Sequence, residues 1–161
     1  MSRNDKTNKT HTVTKRTKHR RDGFSPAITR AATAEEIRAG DRIVVTVKRI
    51  GINGEGVGYY KRKAVFIPGA LPNEVVKAQV VRTEPSYILA KLTEIEKRSP
   101  FRTKPECPVY EACGGCQLQH MTYEGQLRAK EELVREAFRR YVGMETIPLR
   151  PMIGMERPWG Y

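Results

Sequence analysis

Hydrophobic and polar residues alternate along the chain from Asp41 onward. From Ile43 to Val47 every second residue is aliphatic, a period of two that is typical of a β-strand with one buried face. Residues 64–67, 74–82 and 86–95 show the same strand-like composition and are separated by Gly, Pro and Asn. The glycine-rich stretch 51–59 predicts tight turns or bulges between short strands. Five short strands with this punctuation predict a mainly β fold, a small closed or nearly closed barrel over residues 37–98, because closure removes exposed strand edges.

The pattern changes to a helical period after Thr122, which is a good helix N-cap residue. We predict a helix from Thr122 to about Tyr141 and a stop at Gly143. Its apolar residues share one face of the helix: Leu127, Val134, Phe138 and Tyr141. Residues 99–143 are therefore expected to form a small α-containing segment. Residues 144–161 are proline-rich and look like the start of a further domain.

The net charge of the chain indicates what kind of partner it binds. The chain of 161 residues carries 30 basic and 18 acidic side chains, a net charge of +12. Residues 1–36 lack apolar periodicity and include the basic run 15–21, so we predict a disordered basic tail. A basic chain with a basic tail favours nucleic acid as a partner. No stretch resembles a secretory signal or a membrane span, so we expect a cytoplasmic protein without membrane attachment, and a monomer.

Three cysteines, Cys107, Cys113 and Cys116, lie close together with the spacing C-x5-C-x2-C. Disulfides are not expected in a cytosolic protein, so the cluster points to metal binding or catalysis. The Gly-Gly pair at 114–115 has no Cβ and lets the backbone wrap closely around a bound group.

Thiolates are soft ligands that suit both iron–sulfur clusters and zinc. A four-iron cluster normally takes four cysteines, so its fourth ligand would come from elsewhere. Zinc has a complete set within the chain, because His120 makes Cys3His with the three cysteines. The cysteine spacing alone favours neither an iron–sulfur cluster nor zinc.

Two segments of the barrel region, 54–59 (GEGVGY) and 65–74 (VFIPGALPNE), resemble a TRAM domain, an OB-like RNA-binding barrel. The cysteine motif with Gln117, His120 and the helix residues that follow resembles the cluster region of the RNA uracil-C5 methyltransferases. Residues 157–161 (RPWGY) resemble the entry to the catalytic part of that family. The resemblance covers about residues 37–161.

The resemblance implies an activity, cofactors and a substrate. Members of this family methylate C5 of a uridine in RNA with S-adenosylmethionine, and those with a TRAM domain and a cluster act mostly on ribosomal RNA. It assigns Cys107, Cys113 and Cys116 as ligands of a [4Fe-4S] cluster and places His120 at a non-ligand position. The methyl-donor domain, the nucleophilic cysteine, the base and the fourth cluster ligand have no counterpart in this chain, so no catalytic residue is predicted.

The chain is therefore predicted to be the N-terminal RNA-binding and iron–sulfur part of an RNA uracil-C5 methyltransferase. The alternative is a stand-alone RNA-binding module with a Cys3His zinc site. Predicted RNA contacts lie near the glycine-rich stretch and the next turn: Lys48, Arg49, Tyr59, Lys61, Arg62 and Lys63. We also expect one of Tyr59 and Tyr60 to be exposed, Phe66 to be a core residue, and Trp159 to dock against the domain that follows.

Overall fold

Five strands form the larger part of the computed structural model, which describes residues 37–158. The strands are β1 (Arg42–Ile50), β2 (Gly56–Tyr60), β3 (Lys63–Ile67), β4 (Val75–Thr83) and β5 (Tyr87–Lys97). They close into a barrel in the order β1-β2-β3-β5-β4, with β4 pairing back onto β1. All neighbours are antiparallel except β3 and β5, which run parallel. The predicted OB-like barrel is confirmed. The predicted tail and Trp159 lie outside the described residues.

The barrel interior is built from small and branched aliphatic side chains supplied by alternate positions of the strands. Val45 and Val47 of β1 and Val65 and Ile67 of β3 are at most 1% exposed. β-Branched residues of this size pack well on a pleated surface and fill a narrow barrel. The period-two pattern seen in the sequence is therefore the inward face of the strands.

Gly58 is required inside β2 because the barrel is narrow at this point. A Cβ added there would lie 2.3 Å from Cγ1 of Val45 and 2.7 Å from the carbonyl oxygen of Thr46. Glycine in a strand interior commonly marks such a close approach. Part of the glycine-rich stretch is thus strand, whereas the sequence predicted only turns and bulges there.

The helical part follows the barrel. A short helix α1 covers Tyr110–Cys113, and α2 covers Tyr123–Ala137 before a π-helical turn over Phe138–Val142. The hydroxyl of Thr122 accepts a hydrogen bond from the Gly125 amide at 3.3 Å, and Gly143 ends the helical run in the left-handed conformation. The predicted cap and stop are confirmed.

The face that α2 buries differs from the predicted one. Gly125 and Gln126 are buried, and Ala129 packs on a small cluster of Ile50, Leu71 and Met121 below the barrel. Tyr141, on the predicted apolar face, is 82% exposed. No helix within residues 37–158 has the length and apolar character to cross a membrane.

Candidate nucleic-acid interface and cysteine loop

The turn between β2 and β3 carries two basic residues in an unusual conformation. Tyr60 pairs with Lys63, so the loop consists of Lys61 and Arg62 alone, and both have positive φ, 45° and 69°. A two-residue hairpin loop with positive φ at both central positions is a type I′ turn, which normally selects Asn-Gly. Both side chains are exposed, and the Lys61 ammonium lies 5.8 Å from the centre of the Tyr60 ring. Residues 61–63 are called the basic hairpin below.

Lys63 has a structural role in this hairpin. It is half-buried, and its Nζ donates a 2.8 Å hydrogen bond to the carbonyl oxygen of Glu84. This bond fixes the basic hairpin to the turn between β4 and β5. Lys61 and Arg62 are therefore the two basic residues of this hairpin that point outward.

Lys48 and Arg49 lie on β1, beside the start of β2. Arg49 is opposite Val57, near the start of β2, whereas the basic hairpin follows its last residue. Lys48 is exposed at a bulge, and Arg49 is half-buried with its Nη1 3.5 Å from the carbonyl oxygen of Ile50. The five predicted basic contacts thus form two groups separated by about 10 Å of strand.

Three aromatic residues share the outer side of the barrel next to the basic hairpin. Tyr59 pairs with Ala64, and Ala64 pairs with Tyr87, so these three point to the same side of adjacent strands. Phe66 lies one row further along, with its ring 5.7 Å from Tyr87 in an edge-to-face arrangement. Tyr59, Phe66 and Tyr87 are called the outer aromatic face below.

The expectation for Phe66 is wrong, and the expectation for the tyrosine pair is confirmed. The inward residues of β3 are Val65 and Ile67, so Phe66 faces outward and is half-buried. Alternation separates the two faces of a strand but does not say which face is the core. Tyr59 is 56% exposed, while Tyr60 packs against the barrel core.

The cysteines lie on a loop whose two ends are joined. Arg102 and Met121 form an isolated antiparallel bridge, and the amide of Thr103 donates to the carbonyl oxygen of His120 at 3.0 Å. Residues 102–121 are called the cysteine loop below. Because its ends meet beside the barrel, the loop is positioned as one unit.

An ion pair fastens the start of this loop to the barrel. The carboxylate of Glu74 is fully buried and accepts from Arg102 Nε at 2.6 Å and from Arg102 Nη2 at 2.8 Å. It also accepts from the amides of Leu71 and Ser99. Burial raises the pKa of Glu74, but the hydrogen bonds from Arg102 and the two amides outweigh it and leave the pKa below its usual value. The carboxylate is therefore charged and paired at neutral pH.

Cys107, Cys113 and Cys116 are all free thiols, and the last two are exposed. Gly114 follows α1 with a positive φ of 68°, which reverses the chain between Cys113 and Cys116. Gln119 is buried and joins the two ends of the motif. Its Oε1 accepts from the Cys107 amide and its Nε2 contacts the Cys116 sulfur, both at 3.2 Å.

The donor chemistry of this loop fits a thiolate-bound metal, because three free thiols share one short segment. Within residues 37–158, however, no three His, Cys, Asp or Glu side chains are arranged to hold a metal ion. His120 points elsewhere, since its Nδ1 lies 2.6 Å from the Tyr110 hydroxyl. Burial, together with the Arg102 cation, lowers the pKa of His120 to about 4, so its ring is neutral at pH 7.

A cavity of about 1190 Å³ separates the barrel from the cysteine loop. Its walls are lined by Phe66, Tyr87 and Leu89 on one side and by Tyr110, Gln117 and His120 on the other. Two residues at this cavity carry a buried polar atom without a hydrogen-bond partner among the described residues: Glu55, through Oε2, and His120, through Nε2. Buried polar groups are nearly always paired, so two such atoms at one cavity are unusual.

Comparison with known proteins assigns the barrel. The TRAM domain family matches residues 38–93, which span the barrel from before β1 into β5. The barrel therefore matches the TRAM domain family over most of its length. The predicted resemblance to a TRAM domain is confirmed, and the basic hairpin and outer aromatic face lie within the matching residues.

The chain also has close relatives that extend well beyond it. It is 49% identical over 136 residues to a Halalkalibacterium halodurans protein named uncharacterized RNA methyltransferase, covering 83% of this chain and 29% of the relative. Proteins of the same name from Bacillus cereus (51% over 128 residues, 78% and 28%) and Enterococcus faecalis (43% over 131 residues, 80% and 29%) are also similar. The chain spans less than a third of the length of these relatives.

Several features of this site were missed by the sequence analysis. Tyr87 gave no signal, because a tyrosine at a strand start is equally common inside and outside. Gln119 resembled any polar loop residue, although its position three residues after Cys116 was visible. Glu74 and Arg102 are far apart in sequence, and only the fold brings them together.

Proposed function

We propose that this chain is the RNA-binding part of an RNA methyltransferase that carries a metal cluster and methylates uracil C5 with S-adenosylmethionine, with ribosomal RNA as the substrate class. The TRAM domain and the names of the relatives support the RNA methyltransferase part of the proposal. The residues of this chain bind and orient RNA. The methyl-donor site and the reacting groups belong to the part of the relatives that this chain does not span.

The observation that carries RNA binding is the strained basic hairpin. Lys61 and Arg62 occupy two positions of positive φ where Asn-Gly would be favoured. Residues that keep such strained backbone conformations usually cluster at functional sites, because the strain lowers stability and is retained where function requires it. Two cations at the tip of an exposed turn can reach phosphates that a flat strand surface cannot.

The test is the double variant Lys61→Asn with Arg62→Gly, measured by fluorescence anisotropy with labelled single-stranded RNA at several salt concentrations. We expect weaker binding and a salt slope smaller by about 1.4, since each single-strand phosphate contact contributes about 0.7. We expect the same variant to be more stable by roughly 1 kcal/mol, because Asn-Gly relieves the positive-φ strain. Loss of binding would then not be due to unfolding.

A matched control removes the same charge at the other end of the barrel. Lys97 ends β5 opposite Val75, far from the basic hairpin, and Arg98 follows it. Lys97→Ala with Arg98→Ala should leave most of the affinity intact. If both double variants change the affinity and the salt slope equally, binding is non-specific and the hairpin assignment is wrong.

The proposed cofactor is a [4Fe-4S] cluster held by Cys107, Cys113 and Cys116, with a fourth ligand from outside the described residues. The cluster, when bound, supplies a rigid anchor that orders the cysteine loop beside the RNA path. The support is the donor chemistry of the loop and the resemblance of its motif.

Anaerobic purification followed by iron, sulfide and zinc analysis tests the cofactor. Broad visible absorbance with iron and sulfide that is lost in the Cys113→Ser variant supports the cluster. One zinc in a colourless protein, lost in His120→Asn, would instead support the Cys3His alternative.

A further inference from the structure

The cavity between the outer aromatic face and the cysteine loop has the chemistry of a nucleobase site. Its barrel wall is apolar and aromatic on the outer side of the sheet, where a solvated barrel would carry polar residues. Phe66 and Tyr87 present an edge-to-face pair whose rings remain accessible from the cavity. Aromatic side chains on such barrels act as stacking platforms for unpaired bases.

The polar groups of the cavity suit a base better than a phosphate. Glu55 and Glu111 line it with carboxylates, which would repel a phosphate and accept hydrogen bonds from a base N–H. Glu55 Oε2 and His120 Nε2 are buried and have no partner among the described residues. Neither atom is accessible to a water molecule in this structure, so a base that bonds to them has to displace the groups that cover them.

Two cations line this cavity. Arg102 is paired with the Glu74 carboxylate, and Lys91 lies where a phosphate would remain outside. Lys91 lines the cavity and is exposed, two residues beyond Leu89 on the same outer side of β5. The basic hairpin lies at the other end of the outer aromatic face, next to Tyr59. Basic groups therefore lie outside an interior that is lined by aromatic rings and hydrogen-bond acceptors. This arrangement complements a nucleotide whose base enters the cavity while its phosphates stay outside.

We propose that this cavity holds one unstacked base of a single-stranded RNA that runs from the basic hairpin across the outer aromatic face. Phe66 and Tyr87 form the stacking wall, and Glu55 and His120 supply hydrogen bonds to the edge of the base. The inference rests on the proposed RNA-binding function and adds a base-binding site to it. Binding at this site favours single strands, because a duplex base cannot enter without unpairing.

The test compares Phe66→Leu with Phe138→Leu. Leucine keeps an apolar side chain in the cavity but removes the aromatic ring, and Phe138 is a similarly part-exposed aromatic residue, 39% exposed, on the π-helical turn. The probe is a labelled mixed-sequence single-stranded RNA of about a dozen nucleotides. We expect Phe66→Leu to weaken binding roughly 5-fold or more, without changing the salt slope, while Phe138→Leu has no effect.

Photo-crosslinking supplies a second measurement that does not depend on affinity. The same RNA with 5-iodouridine should crosslink to the peptide containing Tyr87, and a duplex competitor should not displace it. Unchanged affinity in Phe66→Leu, or crosslinks confined to other peptides, would overturn the base site. If the basic hairpin variant still loses binding in that case, the proposed RNA-binding function stands; if neither variant has an effect, both proposals fail.

Discussion

Replacing Arg102 by Met while leaving Glu74 in place should be among the most destabilising single changes at the barrel surface. The substitution keeps much of the aliphatic volume but removes three hydrogen bonds, two to the Glu74 carboxylate and one of 2.6 Å to the carbonyl oxygen of Gly69. The carboxylate remains fully buried with only the amides of Leu71 and Ser99 as donors. A buried charge without its counter-ion is the costly outcome.

Removing one partner of a buried ion pair typically costs about 3–5 kcal/mol, and a domain has a total stability of only about 5–15 kcal/mol. The Arg102 side chain is 12% exposed and that of Glu74 is 0% exposed, so water screens the pair weakly. We therefore expect a loss of about 3 kcal/mol at pH 7. In the native protein the lowered pKa of Glu74 adds stability above the pKa of the unfolded chain, and this stability is lost as the pH falls through the folded value.

In Arg102→Met the shift of the Glu74 pKa changes direction, because burial without the arginine cation raises this pKa and favours the protonated carboxyl group. The deficit relative to the native protein should shrink as the pH is lowered from about 7 to about 4. Urea unfolding followed by circular dichroism at both pH values measures it. The control Lys77→Gln breaks the exposed pairs with Glu94 and Glu96 and should cost less than about 1 kcal/mol. A cost below that level for Arg102→Met, or one independent of pH, would refute this reasoning.

Three further changes test the barrel, the helix and the cysteine loop. Gly58→Ala should cost roughly 3 kcal/mol in urea unfolding, since the new methyl would overlap Val45 across β1 and β2; a smaller effect would mean that the strands can separate. Thr122→Ala should cost about 1 kcal/mol by removing the cap of α2, whereas Thr122→Ser should retain most of the stability. Gln119→Ala should speed amide exchange at Cys107 about 5-fold in mass-spectrometric hydrogen exchange, and unchanged exchange would show that the bridge is dispensable.

The sequence predicted where the strands and the helix lie more reliably than which of their faces are buried. The period of two located the strands, and Thr122 and Gly143 located the helix ends, because these signals are local. The burial of Phe66 could not be obtained in this way, since both faces of β3 are apolar and only barrel closure decides that Val65 points inward. The same holds for α2, where Gly125 and Gln126 are buried by their position beneath the barrel.

The residues of the candidate site were predicted only where a local sequence pattern reveals them. Lys61 and Arg62 were accessible to sequence reasoning because a turn exposes its residues, and the structure adds their strained backbone. Lys63 appeared equivalent, yet its bond to Glu84 depends on a neighbouring turn that no local pattern shows. The cavity is formed by the barrel and the cysteine loop together, so the position of Tyr87 at its wall follows only from the fold.

The joined ends of the cysteine loop have an evolutionary consequence. The chain leaves the barrel at Phe101 and returns at Thr122, whose amide donates to the Phe101 carbonyl oxygen at 2.8 Å. An insertion whose ends already meet can be exchanged, lengthened or deleted at low entropic cost to its host. The barrel and α2 thus form a frame into which loops of different chemistry can be grafted. A short Gly-containing turn between Thr103 and His120, which keeps Arg102 and Met121 in place, should give a foldable protein without cysteines.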